Sequence, residues 1–459
     1  MLGRVYGVGL IFLACVYSAC AQVWWEHQIV ARGLLGVVSD KQSWVNSSGL
    51  PTFTGITAEG YTVFKGSENI SAAVGGVQGL SEGINDAGQI AWRGGGAIWV
   101  DTMRISDGLI HDQIGVSLGI GGLTRSGISS DGRPLWSMRY SQPIEGRDDE
   151  VFLGRESLRA AELLGANREV WEVAVSPSGH TIWQGKGDAT GRRSQVFRGT
   201  ENVSLPVLGP TSSAAAHDIN DRGEALWTGW YVGQQFPNHM TFVNDREISA
   251  FLGPKRSSIG RAINSRGQVL WEGTGAFTDF RNEVFLDERC LSLEVFGSRA
   301  HYAYAVERLL SDGGYAMWYA YHYDGAGAQR MDVFVNERNL SEGLLGDLPF
   351  VETKGVDNFG RGLWTGRGSS TGFAYKAFVD RLDLSADARG GSGFASWGLA
   401  MGRNGHVLWA DQDPVSREVF VWLSTPVPEP CGTLAVPAGL ALLALCSRKT
   451  SVGGRRALW

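Results

Sequence analysis

One pattern of apolar and polar positions recurs along most of this chain. It is clearest at 262–273, where an apolar residue is followed by Asn, two further residues, Gly, two more residues, an aliphatic residue and Trp. Eight copies, with Ser, Asp or Gly sometimes replacing Asn, begin at Ile84, Ile128, Val175, Ile219, Ile263, Leu310, Val356 and Met401. A weaker ninth copy begins at Val45, and successive starts lie 39 to 47 residues apart. The spacing predicts a repeat protein.

Each copy predicts a turn followed by a strand. Asn and Ser side chains bond back to their own backbone, and Gly267 can take a positive φ without a steric penalty. The residue before each Trp is aliphatic, and successive strand residues point to opposite faces, so both faces of this strand are apolar. We therefore expect it to lie between two layers. Its aromatic residues are Phe53, Trp92, Trp136, Trp183, Trp227, Trp271, Trp318, Trp364 and Trp409.

Two further elements follow the tryptophan strand in each repeat. A second strand carries Val-Phe or a similar pair, as at 150–153, 195–198 and 283–286. After a polar turn, an aliphatic residue is followed by Ser, which predicts a short third strand or a turn. These pairs begin at Ile70, Ile105, Val203, Ile248, Leu291, Leu340 and Leu384. Residues 155–165 occupy the same slot, so we predict a strand there despite their helix propensity.

This arrangement predicts an all-β fold, a β-propeller of about nine repeats of ~45 residues, because each blade must pack between two neighbours. An open β-solenoid or two smaller propellers are the alternatives, since nine repeats exceed the usual four to eight blades. Residues 23–36 align on 333–346, so the chain opens with the second half of a repeat. We expect 23–30 to pair with the sheet that contains 419–423, which would close the ring.

The start of the chain predicts export. Arg4, an apolar run at 8–16 and small residues ending at Ala21 are typical of a signal peptide over 1–21, with cleavage after Ala21. The apolar run is too short to span a bilayer. A lipoprotein attachment at Cys20 is the alternative. The repeat domain would then cover 22–424.

The end of the chain predicts a membrane segment. Prolines at 425–430 end the sheet, because they lack the N–H that strand pairing needs. Sixteen mostly apolar residues follow at 431–446, and then the basic residues Arg448, Lys449, Arg455 and Arg456. This order predicts a linker, a transmembrane helix and a cytoplasmic basic flank over 425–459. A simple permanent anchor is the alternative to a processed segment.

Composition narrows the class of partner. The chain has 41 Lys and Arg against 47 Asp and Glu. Without the two terminal segments, 36 basic and 47 acidic residues remain, which gives a net charge near −11. Nucleic acid is therefore excluded as a partner. Of five cysteines only Cys290 lies in the repeat region, so it can form neither an internal disulfide framework nor a cysteine metal site.

Two families resemble parts of this sequence. The Ile-Asn-x-x-Gly-x-Val-Leu-Trp unit and the Val-Phe-Leu strand after it resemble the extracellular repeats of the HAF family of exported bacterial proteins, although those repeats usually have Gly where this chain has Trp. The motif Val427-Pro428-Glu429-Pro430, the apolar segment and the basic flank resemble the PEP-CTERM sorting signal. This second resemblance implies handling by an exosortase-type sorting enzyme. It also implies transient inner-membrane anchoring before residence in the cell envelope, at the cell surface or in an extracellular biofilm matrix.

No residue pattern points to catalysis or to a cofactor. The eight histidines lack metal-ligand spacing, and residues 185–191 lie between two strands, which predicts a connection rather than a phosphate loop. We expect the carboxylates of Asp148, Asp149 and Glu150 to be solvated. The turn residues Asn85, Asp86, 220–221 and Asp312 could ligate Ca²⁺, but turn chemistry alone accounts for them. The Asp-box of sialidase-type propellers does not fit, because the spacing from Gly88 to Trp92 is one residue too long.

The connection between the tryptophan strand and the Val-Phe strand varies most in length, and equivalent loops of a propeller fall on one rim. Exposed aromatic rings there would suit stacking on sugars or on a protein partner, although many could instead pack on their own blade. The candidate binding residues are Tyr140, Trp230, Tyr231, Phe280, Tyr319, Tyr321, Tyr323 and Tyr375. We therefore expect a non-enzymatic binding or structural protein, with exopolysaccharide or a surface protein as its partner. The alternative is a polysaccharide hydrolase or lyase, for which convergent carboxylates or histidines around the channel would be the evidence.

Overall fold

Nine sheets follow one another along the chain, in step with the nine repeats. The computed structural model describes residues 24–37, 42–109, 116–119, 127–140, 149–232, 238–297, 299, 301–390 and 393–427. The chain divides into the unit His27–Ser424 and a unit of its two ends, Met1–Glu26 with Thr425–Trp459. Of the second unit, only 24–26 and 425–427 are described. Ala21, the sorting motif from Pro428 onward, the apolar segment and the basic flank lie outside the described residues.

Each sheet is a blade, and we number the blades 1 to 9. The strands run in chain order within each blade, except that the first strand of the chain completes blade 9. The inner strands are Gly36–Val37 with Ser43–Val45, Gly79–Ile84, Val116–Gly119, Glu169–Val175, Ser212–Ile219, Ser257–Ile263, His301–Leu310, Phe350–Val356 and Ala395–Met401. The second strands are Pro51–Thr57, Ile90–Gly94, Leu135–Tyr140, Thr181–Lys186, Ala225–Tyr231, Val269–Thr274, Ala316–Tyr323, Gly362–Arg367 and Val407–Gln412. The third strands are Gly60–Lys65, Ala97–Val100, Glu150–Leu153, Gln195–Arg198, Met240–Val243, Glu283–Leu286, Gln329–Val335, Lys376–Val379 and Val419–Val427. The outer strands are Glu68–Asn69, Met103–Arg104, Glu156–Ser157, Glu201–Asn202, Arg246–Glu247, Arg289–Cys290, Arg338–Asn339, Leu382–Asp383 and, for blade 9, Trp24–Leu34.

Neighbouring blades pack face to face around a ring. The inner strand of most blades contacts the inner strand of the next, and Ser43–Val45 of blade 1 contacts Ala395–Met401 of blade 9. The prediction of an all-β propeller is therefore confirmed, with nine blades, and the solenoid and the pair of smaller propellers are both wrong. None of the helices in the described ranges is long and apolar enough to cross a membrane.

The repeat tryptophan is the centre of each blade. All eight are fully buried, and Trp271 illustrates the arrangement: its ring stacks on Phe285 of the third strand, with 4.2 Å between ring centroids. Its indole N–H donates a hydrogen bond of 2.6 Å to the carbonyl of Asp287, which lies in the turn before the outer strand at a φ of 55°. Six other tryptophans donate to the equivalent carbonyl at 2.6 to 2.8 Å. The expectation that these rings lie between layers is confirmed.

The aliphatic–Ser pair does not form the predicted third strand. The outer strand is only two residues long and ends just before the pair, and the pair begins a helix in three blades. The aliphatic residue is buried, and the Ser hydroxyl accepts the third-strand N–H that the short outer strand leaves unpaired. For example, the N–H of Val284 donates to the Ser292 hydroxyl at 3.0 Å. Among the described residues, α-helices span Ile70–Ala73, Ala160–Leu164, Leu205–Leu208, Leu291–Phe296 and Leu384–Arg389. Four 3-10 turns span Asp188–Thr190, Ala250–Leu252, Ala276–Thr278 and Ser369–Thr371. The strand predicted over 155–165 is therefore wrong beyond Ser157.

The turns between inner and second strands join neighbouring blades at one edge of the ring, which we call the turn face. The side-chain amide of Asn264 donates to the carbonyl of Ser311 in the next blade at 3.0 Å, and Asn85 makes the same bond to Ser129 at 2.9 Å. Asn404 of blade 9 donates to the carbonyl of Ser47 in blade 1 at 2.9 Å, so these links continue across the closure. The recurring Asn therefore serves both its own turn and the contact with the next blade.

Ring closure confirms the pairing predicted for the first strand. Trp24–Leu34 pairs with Val419–Val427 as the outer strand of blade 9. His27 contacts the hydroxyl of Ser424 at 2.7 Å, and the N–H of Gly33 donates to the Glu418 carboxylate at 2.7 Å. Blade 9 already has its own third strand, so one uninterrupted strand completes it.

Most inner strands carry a bulge, an extra residue without a partner on the second strand. In blades 5, 6 and 8 the extra residue is His217, Arg261 or Lys354. In blade 7 the register shift is longer and spans 306–309. It accounts for the wide spacing of 47 residues between the copies at Ile263 and Leu310. Bulges redirect side chains, and those of blades 6, 7 and 8 place the charged residues Arg261, Glu307 and Lys354 around one central cavity.

We predict that Trp271→Ala destabilises the protein by about 3 to 5 kcal/mol, as for other buried large-to-small substitutions. The substitution also leaves the Asp287 carbonyl without its indole donor. Chemical denaturation of the variant checks this. Phe277→Ala is the control, because that ring is more than half exposed in the same blade and should change the free energy of unfolding little. Equal stability of Trp271→Ala and wild type would contradict the assigned role.

We predict that stability falls as pH falls below about 6.5, with His217 as one cause. Burial, and secondarily the charge of Arg261, lower the pKa of His217 from 6.5 to about 3. Between these values the unfolded chain binds a proton that the folded chain does not, so acidification favours unfolding. His217→Gln should make the decline shallower by up to about 1.4 kcal/mol per pH unit. Denaturation of both proteins from pH 7 to pH 4 measures the two slopes; parallel slopes would show that His217 does not titrate in this way.

Candidate functional site

The connections between second and third strands lie at the edge of the ring opposite the turn face, and we call this edge the loop face. Tyr231 and Phe280 lie there with exposed side chains, and Tyr323 ends the long second strand of blade 7 with 57% of its surface exposed. Trp230 is half-buried against His239 at 5.5 Å between ring centroids. Tyr375 is half-buried, with the Arg367 guanidinium 4.7 Å from its ring centroid. Tyr140 ends the second strand of blade 3, and its side chain lies outside the described residues.

Blades 4, 6 and 8 share one loop design at this face. Each loop runs Gly-x-x-Thr followed by Gly or Asp, at 187–191, 275–279 and 368–372. The Thr hydroxyl accepts the N–H of the first Gly at 3.0 to 3.1 Å, and the residue after the loop donates its N–H to the carbonyl of that Gly at 2.9 Å. A Cβ on that Gly would meet a backbone carbonyl within 2.5 Å. The loop is therefore a rigid platform built by its own hydrogen bonds. In blade 4 residues 187–191 form a connection as predicted, whereas 185–186 end the second strand.

The residue after each platform is held in the left-handed backbone region. It is Arg192, Phe280 or Phe373, with φ of 63°, 59° and 61° respectively. Bulky L residues rarely adopt this conformation, and glycine or asparagine would do so at less cost. Phe280 is nevertheless 60% exposed and Phe373 is 52% exposed. The hydrogen bond to the first Gly accounts for the left-handed backbone in all three blades, but it does not account for an exposed phenylalanine ring where blade 4 has Arg192. The exposed rings point to an external contact.

A row of tyrosines runs across one face of blade 7. Tyr319, Tyr321 and Tyr323 alternate along the second strand, so they share a face, and Tyr304 and Tyr302 pair with Tyr319 and Tyr321 across the sheet. The rings of Tyr304 and Tyr319 stack at 5.4 Å, and Tyr321 meets Tyr319 edge to face at 6.0 Å. We call these five residues the tyrosine ladder. Three of them were predicted as loop residues, but this second strand continues to Tyr323 and places them within the sheet. Tyr302 and Tyr304 were missed, although their alternation with alanine was a strand signal.

The inner end of the ladder borders a central cavity of about 570 Å³. Inner strands and turn-face residues of several blades line it, including Trp44, Tyr304, Tyr319 and Thr353. Four acidic and three basic side chains also line it, namely Asp86, Glu272, Glu307, Asp312, Arg261, Lys354 and Arg403. These charged groups are paired rather than free: Arg403 lies 3.2 Å from Asp312, and Lys354 lies 2.8 Å from Glu352.

The buried Glu272 carboxylate is the best-held group of the cavity wall. One of its oxygens forms a charge-assisted pair with Arg261, and the other accepts a 2.8 Å hydrogen bond from Asn282. Burial, followed by the negative charge of Glu272, raises the pKa of Tyr304, and burial with the influence of Tyr321 raises the pKa of Tyr319. Both phenols therefore keep their protons and can donate hydrogen bonds into the cavity.

Other groups considered for chemistry have structural roles. In the described part of the chain, no group of three or more His, Cys, Asp or Glu side chains could hold a metal ion. Asp86 and Asp312 accept turn N–H groups from the preceding blade at 3.0 and 2.9 Å. Asp148 lies outside the described residues. The expectation that Asp149 and Glu150 are solvated is wrong. Asp149 is buried and accepts the N–H of Val170, while Glu150 accepts the N–H that begins the helix Ala160–Leu164.

Comparison with known proteins adds little to this picture. No protein-family model matches the chain, and no curated protein matches it. Among solved structures it is similar to a Trypanosoma rangeli sialidase in complex with the inhibitor DANA, at 8% sequence identity and a TM-score of 0.22. The match covers 94% of this chain and 60% of the sialidase chain. This chain thus corresponds to less than two thirds of that protein's length, and the likeness carries no argument about activity.

Proposed function

We propose that this protein is an exported, non-enzymatic propeller that binds polysaccharide at its loop face, in the cell envelope or the extracellular matrix. The observation that carries the proposal is the pair of strained, exposed phenylalanines, Phe280 and Phe373, on rigid platforms of blades 6 and 8. Tyr323 and Tyr231 add exposed rings at the same face. Aromatic rings stack on the apolar faces of pyranoses, and a nine-blade rim offers several such contacts to one polymer chain.

A hydrolase or lyase in the channel is the second candidate, and buried Glu272 beside Tyr304 and Tyr319 is the observation in its favour. Two features favour binding over catalysis. Both oxygens of Glu272 are engaged, one by Arg261 and one by Asn282, so neither oxygen is free to act on a substrate. Histidine, the commonest general base, is also absent from the described residues that line the cavity.

The proposed location rests on the two ends of the chain. Removal of the leader after Ala21 would release the propeller outside the cytoplasm. The segment 431–446, with Arg448, Lys449, Arg455 and Arg456 on its cytoplasmic side, would hold it at the inner membrane until an exosortase-type enzyme acts at the motif Val427-Pro428-Glu429-Pro430. The partners we propose are therefore this enzyme, the inner membrane and a polysaccharide or surface protein of the matrix.

We predict that the double variant Phe280→Asn, Phe373→Asn keeps or gains stability and loses polysaccharide binding. Asparagine tolerates the left-handed backbone, which removes the strain, while the loss of each ring should weaken binding by about threefold to tenfold. Arrays and affinity electrophoresis with dextran, xylan, pectin and alginate, together with thermal denaturation, measure the two effects.

The matched control is Phe359→Asn. Phe359 is 66% exposed, but it lies at the turn face in blade 8, so its loss should leave polysaccharide binding unchanged. If wild type binds none of the polymers, or if the control weakens binding as much as the double variant, the loop face is not the polysaccharide site.

We predict that deletion of 428–459 leaves a folded propeller that is no longer retained by the envelope. The last strand of blade 9 ends at Val427, so the deletion removes no part of a described strand. Fractionation of cells that produce either form should place the full-length protein in the membrane or in processed form and the truncated protein free outside the inner membrane. The same distribution for both forms would mean that the tail is not a sorting signal.

A further inference from the structure

We infer that the central cavity is a binding site for a small neutral saccharide, distinct from the polymer site on the loop face. The cavity of about 570 Å³ lies within the range of about 300–1,000 Å³ that is usual for small-ligand pockets. It is bordered by the stacked rings of Tyr304 and Tyr319 on one side and by Thr353 of the next blade. This inference does not depend on the proposed polysaccharide binding.

The buried hydroxyl of Thr353 is the first observation that points to a ligand in the cavity. Its side chain lines the cavity and is only 8% exposed, yet its hydroxyl has no hydrogen-bond partner within the described residues. Ser81 holds the same register position in blade 2, opposite the repeat tryptophan, and its hydroxyl bonds Thr52 of blade 1 at 2.9 Å. In blade 7 the position of Thr52 is occupied by Met317, which has no hydroxyl group and cannot form this hydrogen bond with Thr353. A buried hydroxyl without a partner is costly, so its partner must come from the cavity.

Charge decides between neutral and anionic ligands. The basic groups Arg261, Lys354 and Arg403 each have a carboxylate partner within 3.2 Å, and acidic residues outnumber basic ones on the wall. A carboxylated sugar would have to displace one of these carboxylates. Paired guanidinium and carboxylate groups instead present donors and acceptors side by side, which suits the vicinal hydroxyls of a neutral sugar.

Aromatic surface completes the match. Tyr304 and Tyr319 present apolar ring area together with phenol groups that stay protonated, and Trp44 of blade 1 adds an indole. The long bulge of blade 7 brings Glu307 to the same wall, 4.0 Å from Arg261. Stacking area beside fixed donors and acceptors is the combination by which proteins recognise a pyranose, so we assign the cavity to a neutral mono- or disaccharide.

Isothermal titration of the full chain with glucose, galactose, mannose, maltose and cellobiose, and with glucuronate as the anionic probe, tests the inference. At least one neutral sugar should bind with one site per chain, and glucuronate should bind more weakly. Thr353→Val removes the unpaired hydroxyl with little change of shape. It should weaken neutral-sugar binding by about fivefold, the value of one hydrogen bond, and leave the melting temperature equal or higher.

Two further variants make the result decisive. Tyr319→Leu should also weaken binding, because it removes one stacked ring. Thr52→Val removes a buried hydroxyl that is already bonded to the carbonyl of Phe64 and does not line the cavity, so it should lower stability and leave sugar affinity unchanged. Absence of binding by every neutral sugar, preference for glucuronate, or unchanged affinity in Thr353→Val would each overturn the inference. The Phe280 and Phe373 variants should leave this binding intact, which separates its failure from failure of the loop-face proposal.

Discussion

The hydrogen bond from the repeat indole to the turn before the outer strand is the contact on which each blade depends. A buried indole N–H needs an acceptor, and in seven blades that acceptor is the backbone carbonyl of a left-handed turn residue. At Trp271 this bond and the stack on Phe285 hold the second strand against the third strand and against the turn that leads to the outer strand. In blade 9 the third strand continues without that turn, and the Ser424 hydroxyl accepts the bond from Trp409 instead. That hydroxyl also contacts His27, so the same interaction closes the ring.

The size of the indole explains a second feature of the repeat. Several blades have glycine two residues after Trp, and a Cβ on Gly229 or Gly366 would come within 2.9 Å of the tryptophan ring. A leucine from the preceding segment covers the ring at both positions, Leu208 and Leu345 respectively. Blade 7 has Ala320 at this position, and there Phe296 meets the Trp318 ring edge to face at 6.2 Å. Blade 7 therefore departs from the common packing in the same strand that carries the tyrosine ladder.

The sequence contained enough information for the fold because the spacing of the tryptophans and the apolar residues before them determines which strand lies between two layers. The helix after the outer strand was missed for two reasons. Six residues, as in the helices that begin at Leu291 and Leu384, are too short for helical periodicity to show, and at 155–165 the repeat pattern was preferred over helix propensity. The cavity was missed for another reason. Its polar wall depends on bulges that turn Arg261 and Lys354 inward, and a one-residue bulge leaves no mark on an alternating pattern. The longer bulge of blade 7 did leave one, in the extra residues before Leu310, but spacing alone does not reveal which side chains it redirects.

A repeat protein offers an internal standard for separating structure from function. Residues that occupy equivalent positions in nine blades meet nearly the same packing demands, so a departure that improves the local packing needs no further explanation. Phe280 and Phe373 take a backbone conformation that suits glycine, and they expose apolar rings. Thr353 buries a hydroxyl where the neighbouring blade offers only Met317. Each departure costs stability, because the phenylalanine rings stay exposed and the Thr353 hydroxyl has no hydrogen-bond partner within the described residues. Because folding cannot account for them, the loop face and the central cavity are where this ring is adapted to something outside itself.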